Sequence, residues 1–177
     1  MRNPEGYANV NLGNISAQIS LRKQLQCKSF EWFLNNVAPE ILSTYPVIDP
    51  PSYASGAVEN LYYQNYCLDT VSRGARQPVG IFPCGTNKTH PHLTQYFKLT
   101  HLHELRTNYN CLDVSEFPPN ASVVFWDCHG KAGNQFWHYD HRNQWIVQGE
   151  SGYQCLEVIM KTPGKLSIVA NPCVKNN

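Results

Sequence analysis

The chain is poor in charge: 15% of its 177 residues are Asp, Glu, Lys or Arg, and the formal net charge is +1. A surface so lightly charged has no basic stripe to neutralise a phosphate backbone, so nucleic acid is not an expected partner. No run of about 18 apolar residues is present, and residues 1–25 lack the basic-then-apolar layout of a secretory leader. Neither a membrane span nor a leader is therefore expected within the chain. Short Cys-x-x-Cys or His-x-x-x-His pairs are also missing. His90-x-His92, His101-x-His103 and His138-x-x-His141 have other spacings, so no structural metal is expected.

What the chain does have is a period. Cys67-Leu68-Asp69 recurs as Cys111-Leu112-Asp113 and again as Cys155-Leu156-Glu157, each time 44 residues on (111 − 67 and 155 − 111). Cys84, Cys128 and Cys173 keep the same beat, 17, 17 and 18 residues after the first cysteine of each unit. Gln95-Tyr96-Phe97 and Gln135-Phe136-Trp137 follow in the first two units, and no such triplet follows Cys173.

Six cysteines allow fifteen pairings, but one treats the units alike: Cys67–Cys84, Cys111–Cys128 and Cys155–Cys173. Closing loops of this length stabilises by roughly 3 kcal/mol each in the chain-entropy model. The alternatives are buried thiols or a metal cluster. A disulfide framework implies an oxidising compartment, and the sequons at Asn14, Asn87 and Asn120 agree with passage through a glycosylating lumen. The absence of a leader conflicts with this, and sequence upstream of Met1 would reconcile the two.

Residues 1–45 carry two helical patterns, 16–26 and 29–37, with Ser16 and Ser29 as expected N-caps and Pro39 as a stop. Phe30, Phe33, Leu34 and Val37 form one apolar face. Residues 46–55, with Pro46, Pro50 and Pro51, read as a stiff linker. From residue 56 onward, short strand-like runs such as 122–126, 144–147 and 166–169 alternate with Gly, Pro, Asn and Asp. The fold class is all-β. Three units are too few for a propeller and suggest a closed barrel of pseudo-threefold symmetry, with repeats at about 56–100, 101–144 and 145–177.

Cys-Leu-Asp, an aromatic two residues before the second cysteine, and Asn-Gln-x-Trp together resemble the ricin B-type lectin β-trefoil over residues 56–177. Residues 13–32, including Gly13-Asn14-Ile15-Ser16 and Leu21-Arg22-Lys23-Gln24-Leu25-Gln26-Cys27, resemble the stretch joining the catalytic and lectin domains of polypeptide N-acetylgalactosaminyltransferases. Arg2-Asn3-Pro4 resembles the last turn of that catalytic domain. The resemblance implies a lectin module that recognises N-acetylgalactosamine on glycosylated protein in the Golgi lumen. Its partners would be GalNAc-bearing glycoproteins and the parent catalytic domain. Manganese and UDP-GalNAc would belong to that domain, leaving this chain without cofactor or catalytic residues. The resemblance further implies that the odd cysteine, Cys27, pairs with a cysteine of the catalytic domain and is unpaired here.

A galactose-type sugar needs an aromatic platform beside fixed acceptors and donors. The resemblance assigns these roles in the second unit: Asp113 accepts from two hydroxyls, Trp126 stacks on the C–H face, and His129 and Asn134 hold the remaining hydroxyls. Gln135 and Trp137 are assigned to the local strand and core. The first unit keeps Asp69 and Phe82 but has Gly85 for the histidine and Thr94 for the asparagine, which makes them weaker candidates. The third has Glu157 for the aspartate and Asn171 for the aromatic, and reads as structural. Asp127 beside His129 and Asp140 beside His141 could be acid–base pairs, but adjacency is not a catalytic geometry. The competing reading is a trefoil that binds protein or serves only as structure. With no triplet after Cys173, the barrel is expected to carry an unpaired edge and to be most easily proteolysed near its C-terminus.

Overall fold

The computed structural model describes residues 11, 13–44, 50–87, 91–107 and 110–174. The chain divides into two units, Met1–Asp49 and Pro50–Asn177. The Arg2-Asn3-Pro4 turn and residues 45–49 of the expected linker lie outside the described residues.

Among the described residues the first unit holds three short helices: α1 (Ser16–Gln24), α2 (Phe30–Asn36) and α3 (Glu40–Thr44). Ser29 caps α2, its hydroxyl accepting from the Trp32 N–H at 2.9 Å. Ser16 does not cap α1, because it is already the first helical residue. The Asn14 side chain accepts the Ser16 N–H at 3.0 Å instead. α2 ends at Asn36 with Val37 as its C-cap, just before the expected stop at Pro39, and α3 begins at the residue after the proline. Proline is tolerated there because the first N–H groups of a helix have no intrahelical partner. Of the expected apolar face, Leu34 alone is buried, and Phe30 and Phe33 stack in the open with ring centroids 5.9 Å apart.

The second unit is all strands and turns. It begins with β1 (Ser52–Gly56), β2 (Tyr66–Asp69), β3 (Gly80–Pro83), β4 (Phe97–Thr100) and β5 (Leu105–Arg106). It continues with β6 (Asn110–Asp113), β7 (Ala121–Ser122), β8 (Val124–Asp127), β9 (Trp137–Asp140) and β10 (Trp145–Gln148), and ends with β11 (Gln154–Thr162) and β12 (Lys165–Pro172). One sheet runs β1-β4-β5-β6-β8, a second β7-β12-β11-β10-β9, and β2 pairs with β3. The repeat accounts for this pattern. Each Cys-Leu-Asp/Glu strand pairs antiparallel with the strand that leads to its own second cysteine: Cys67 lies opposite Phe82, Cys111 opposite Trp126, and Cys155 opposite Asn171. The bridges Cys67–Cys84, Cys111–Cys128 and Cys155–Cys173 tie the hairpins, each with its Cα atoms 5.0 Å apart. In the third unit Pro163 and Gly164 turn the hairpin, and Gly164 takes φ +77°, which an L side chain rarely adopts.

One expectation is corrected here. Residues 52–55 are not linker, because β1 pairs along β4 from Ser52↔Thr100 to Gly56↔Phe97. Pro50 and Pro51 precede that strand, where a missing N–H costs no ladder bond. The strand that leads to Cys173, β12, pairs with β11 on one side and β7 on the other. The edge strands of the two larger sheets are β1, β8, β7 and β9.

The core takes equivalent residues from successive units. Leu68 and Leu112 follow the first cysteines, and Phe97 and Trp137 close the Gln-x-aromatic triplets. Val79, Val123 and Phe125 line the strands between. The buried Trp137 meets its polar requirement by donating Nε1–H to the Leu112 carbonyl at 2.9 Å.

Candidate functional site

In the second unit one chain of hydrogen bonds joins three of the four expected sugar contacts. Asp113 ends β6 and is only 4% exposed. Its Oδ1 accepts from Asn134 Nδ2 at 2.8 Å and its Oδ2 from Gln135 Nε2 at 2.9 Å. Asn134 Oδ1 lies 3.2 Å from His129 Nε2. The direction of this last bond follows from the other ring nitrogen, because the Lys131 N–H points at His129 Nδ1 at 3.0 Å. Nδ1 is therefore the acceptor and the proton sits on Nε2, which donates to Asn134. The polarity runs His129 to Asn134 to Asp113. Each carboxylate oxygen has room for about one further donor, so Asp113 can still accept from a ligand hydroxyl.

The short 3₁₀ turn Gly133–Gln135 delivers both amides, and the Val114 N–H fixes that turn by bonding the Asn134 carbonyl at 3.0 Å. Gln135, 1% exposed, is the hub of the site. Besides Asp113 its Nε2 reaches the Asp127 carbonyl at 3.0 Å, and its Oε1 accepts the His129 N–H at 3.1 Å. The assignment of Gln135 to the local scaffold alone omitted its bond to Asp113. Trp126 stands on β8 and is 40% exposed, as a stacking platform must be. The Arg76 guanidinium lies 5.2 Å from the ring centroid. Sequence reasoning missed Arg76, which a turn places here with φ +66° and its N–H on the Phe125 carbonyl at 2.6 Å.

The first unit repeats the scaffold but not the network. Gln95 holds the Pro83 carbonyl and the Gly85 N–H, both at 2.9 Å, as Gln135 holds its counterparts. Asp69 instead serves its own turn, accepting the Val71 N–H at 2.6 Å, with a long 3.4 Å contact from Thr94 Oγ1. Phe82 is exposed in the place of Trp126. The His92 ring stands where a side chain at Gly85 would begin, its Cδ2 2.9 Å from the position of a Cβ. In the third unit Asn171 Nδ2 donates to Glu157 Oε2 at 2.6 Å and to Asn120 Oδ1 at 3.3 Å, and its Oδ1 accepts the Asn120 N–H.

The acid–base pairs do not form catalytic geometry. Asp140 caps the β9–β10 turn, its carboxyl held below the usual carboxylate range chiefly by the Asn143 side-chain amide at 2.5 Å. Backbone N–H groups of Asn143 and Arg142 and the charge of His138 add to this, against the opposing effect of burial. His141 Nε2 lies 2.6 Å from the Tyr53 hydroxyl. Asp127-Cys128-His129 does spell an Asp-x-His triplet, yet Cys128 is in a disulfide and both His129 ring nitrogens are engaged within the turn. Among the described residues, Glu104, Cys111 and Cys128 lie close enough together to hold an ion, but these sulfurs form that same bridge and are not thiolates. Cys27 is a free, exposed thiol. The sequon asparagines Asn14, Asn87 and Asn120 are all exposed. No helix among the described residues is long and apolar enough to cross a membrane.

Comparison with known proteins bears on the family and the fold. Along 99% of its length the chain is 42% identical to N-acetylgalactosaminyltransferase 4 of Drosophila melanogaster, spanning 28% of that protein. It is 32% identical to human polypeptide N-acetylgalactosaminyltransferase 10 over 78% of the chain and 24% of the relative. Among solved structures it is similar in fold to GalNAc-T7 crystallised with UDP, GalNAc and Mn2+, at TM-score 0.58 and 23% identity, over 92% of this chain and 27% of that one. A homologue of type II ribosome-inactivating proteins (RIPs) from bitter gourd, in complex with α-methyl-D-galactoside, shares the fold at TM-score 0.53 and 15% identity, over 70% of this chain and 44% of that one. Residues 54–177 match the ricin-type β-trefoil lectin domain, and the chain belongs to that family.

Proposed function

We propose that the second unit is a carbohydrate site for terminal N-acetylgalactosamine on O-glycosylated protein. The observation that carries the reading is the His129–Asn134–Asp113 network beside the exposed Trp126 ring. Asp113 offers charge-assisted acceptance, Asn134 is bonded to it directly and His129 through Asn134, and Trp126 supplies an apolar face. A single shallow site of this kind binds on the order of 1 mM, about 4 kcal/mol. Useful targeting then comes from tethering to a second binding event.

In this reading the module steers a polypeptide GalNAc-transferase in the Golgi lumen toward acceptors near existing glycans. The transfer chemistry, with UDP-GalNAc and manganese, belongs to a separate catalytic domain. The three disulfides support an oxidising lumen, and the exposed apolar side chains of α1 and α2 support packing of the first unit on that domain. The transferase relatives support the sugar identity.

The test is an NMR titration of the oxidised chain with GalNAc and a GalNAc-bearing mucin glycopeptide, in wild type and Asp113→Ala. Saturable shifts at Trp126, His129 and Asn134 that vanish in the folded variant are expected. Unchanged binding by Asp113→Ala would sink the site assignment. A folded wild-type chain that shows no shifts would favour a protein-binding or structural trefoil.

A further inference from the structure

The turn that carries Arg76 lies along the outer edge of β8, the strand of the Trp126 platform. The Arg76 N–H meets the Phe125 carbonyl at 2.6 Å, the Phe125 N–H returns to the Gln77 carbonyl at 2.9 Å, and the Val79 N–H reaches the Val123 carbonyl at 2.9 Å. Two of these bonds close on the residue just before Trp126. The main chain of the first unit therefore fixes where Arg76 stands beside a ring of the second. Its guanidinium lies 5.2 Å from the ring centroid, within cation–π range.

The repeat builds this place twice. Asn120 stands 44 residues on (120 − 76) and shares the left-handed backbone, at φ +59° against +66° for Arg76. It leads into β7, which pairs with β12, and its side chain accepts from Asn171 Nδ2 at 3.3 Å. Asn171 holds the third unit's platform position, so in both cases this position addresses the platform strand of the next unit. Asn120 commits its side-chain oxygen to Asn171, whereas Arg76 remains uncommitted. Among the described residues no carboxylate pairs with its guanidinium, no acceptor takes its side-chain N–H groups, and the residue is exposed. Arg73 of the same turn is engaged, donating Nη1 to the Pro78 carbonyl at 3.1 Å. Asp127, next to Trp126 in sequence, is directed to the opposite face of β8 by strand alternation. A guanidinium over an aromatic ring still has a planar fork of five donors to offer a carboxylate.

We infer that Arg76 makes the second-unit site selective for glycopeptides that carry a carboxylate beside the N-acetylgalactosamine. The inference rests on the sugar-site reading and deepens it. The sugar takes the Trp126 face and Asp113, and Arg76 takes the acid. That acid comes from an Asp or Glu flanking the glycosylated residue or from an acidic sugar attached to the GalNAc.

Three end-capped mucin peptides titrated by NMR into the full oxidised chain test this. One is neutral with a single GalNAc, the second adds Glu beside the glycosylated Thr, and the third is neutral but carries sialylated GalNAc. The readout is the ratio of acidic to neutral affinity within each protein, so any effect of a substitution on the platform itself cancels. Wild type should favour an acidic ligand by about threefold at low salt, the range of an exposed ion pair, and lose the preference near about 1 M salt. Whichever acidic ligand gains identifies the source of the carboxylate. Arg76→Gln should bring the ratio to about one, while Arg76→Lys and Arg73→Gln should keep most of it. A ratio near one in wild type, a ratio that survives Arg76→Gln, or equal loss in Arg73→Gln overturns the inference. Equal binding of all three ligands refutes the acid preference alone, whereas no binding of any ligand removes the sugar-site reading and this inference together.

Discussion

Gln95 and Gln135 form a matched pair within one protein, and replacing each by Met separates scaffold from site. Methionine conserves volume and removes the polar atoms, so cavity terms largely drop out. Gln95→Met leaves the Pro83 carbonyl and the Gly85 N–H without their partner. Each such group costs about 1–3 kcal/mol when buried, and these are only partly buried, so a total near 2 kcal/mol is expected. Gln135→Met orphans the matching pair, the Asp127 carbonyl and the His129 N–H, and in addition strips one donor from Asp113 Oδ2. Hydrogen bonds to charged groups contribute roughly 1.5–3 kcal/mol. Gln135→Met should therefore be the costlier change by about 2 kcal/mol, some 30-fold in the folding equilibrium.

Urea denaturation of the two oxidised variants, compared through their midpoints at equal slope, measures that difference. Only Gln135→Met should also weaken GalNAc binding, since its Asp113 loses one of two restraints. Equal destabilisation by the two substitutions, or a larger loss from Gln95→Met, would refute the view that Gln135 holds the site carboxylate as well as the hairpin.

Two further outcomes are expected. Asp140 titrates below its ordinary value in the folded chain, so its contribution to the β9–β10 turn is present above the unfolded carboxylate range and is lost as pH falls through the lowered folded value. The protection factors of the Arg142 and Asn143 amides, whose N–H groups bond Asp140 Oδ1, should fall over that acid window and stay flat between neutral and mildly acidic pH, once exchange rates are corrected for their intrinsic pH dependence. Glu104 and Arg106 form an ion pair at 3.1 Å with side chains 5% and 4% exposed. Glu104→Gln removes the carboxylate that Arg106 Nη1 contacts and should destabilise by about 1–3 kcal/mol in urea unfolding, against near-neutrality for an exposed pair.

Much of the fold is legible because the repeat imposes equal geometry on equal positions. The cysteine beat gives the disulfide hairpins, and the aromatic two residues before the second cysteine gives the register of Phe82 and Trp126. What escaped is what neighbouring residues do not encode. Arg76 reaches Trp126 through a left-handed turn tied by backbone bonds to a strand about 50 residues away. His92 fills the space above Gly85 because the first unit has four more residues between Cys84 and its triplet than the second has after Cys128 (95 − 84 against 135 − 128). β1 was hidden by its prolines, which signal a linker in composition yet stand just before the strand they introduce. Asp113 was legible as an acceptor, but the donors that hold it, Asn134 and Gln135, become visible only when the 3₁₀ turn folds both amides onto one carboxylate.

The three hairpins differ less in which acid they carry than in what already donates to it. Asp69 is taken by the Val71 N–H of its own turn, an arrangement an aspartate adopts without any ligand. Glu157 is held by Asn171 from the opposite strand, in the very position where an aromatic platform would stand. Asp113 is held by side-chain amides of the Gly133–Gln135 turn, one of which also meets His129, so on the proposed reading Asn134 both restrains the carboxylate and contacts the ligand. A ligand hydroxyl entering there joins a network with its proton directions already set, and little reorganisation is needed on binding. In the first unit an incoming sugar would meet a carboxylate committed to its own turn, beside a histidine that arrives from a different loop. On the proposed reading, sugar capacity concentrates in the second unit through the donors of the Gly133–Gln135 turn, while the aspartate itself is shared with a hairpin that uses it for folding.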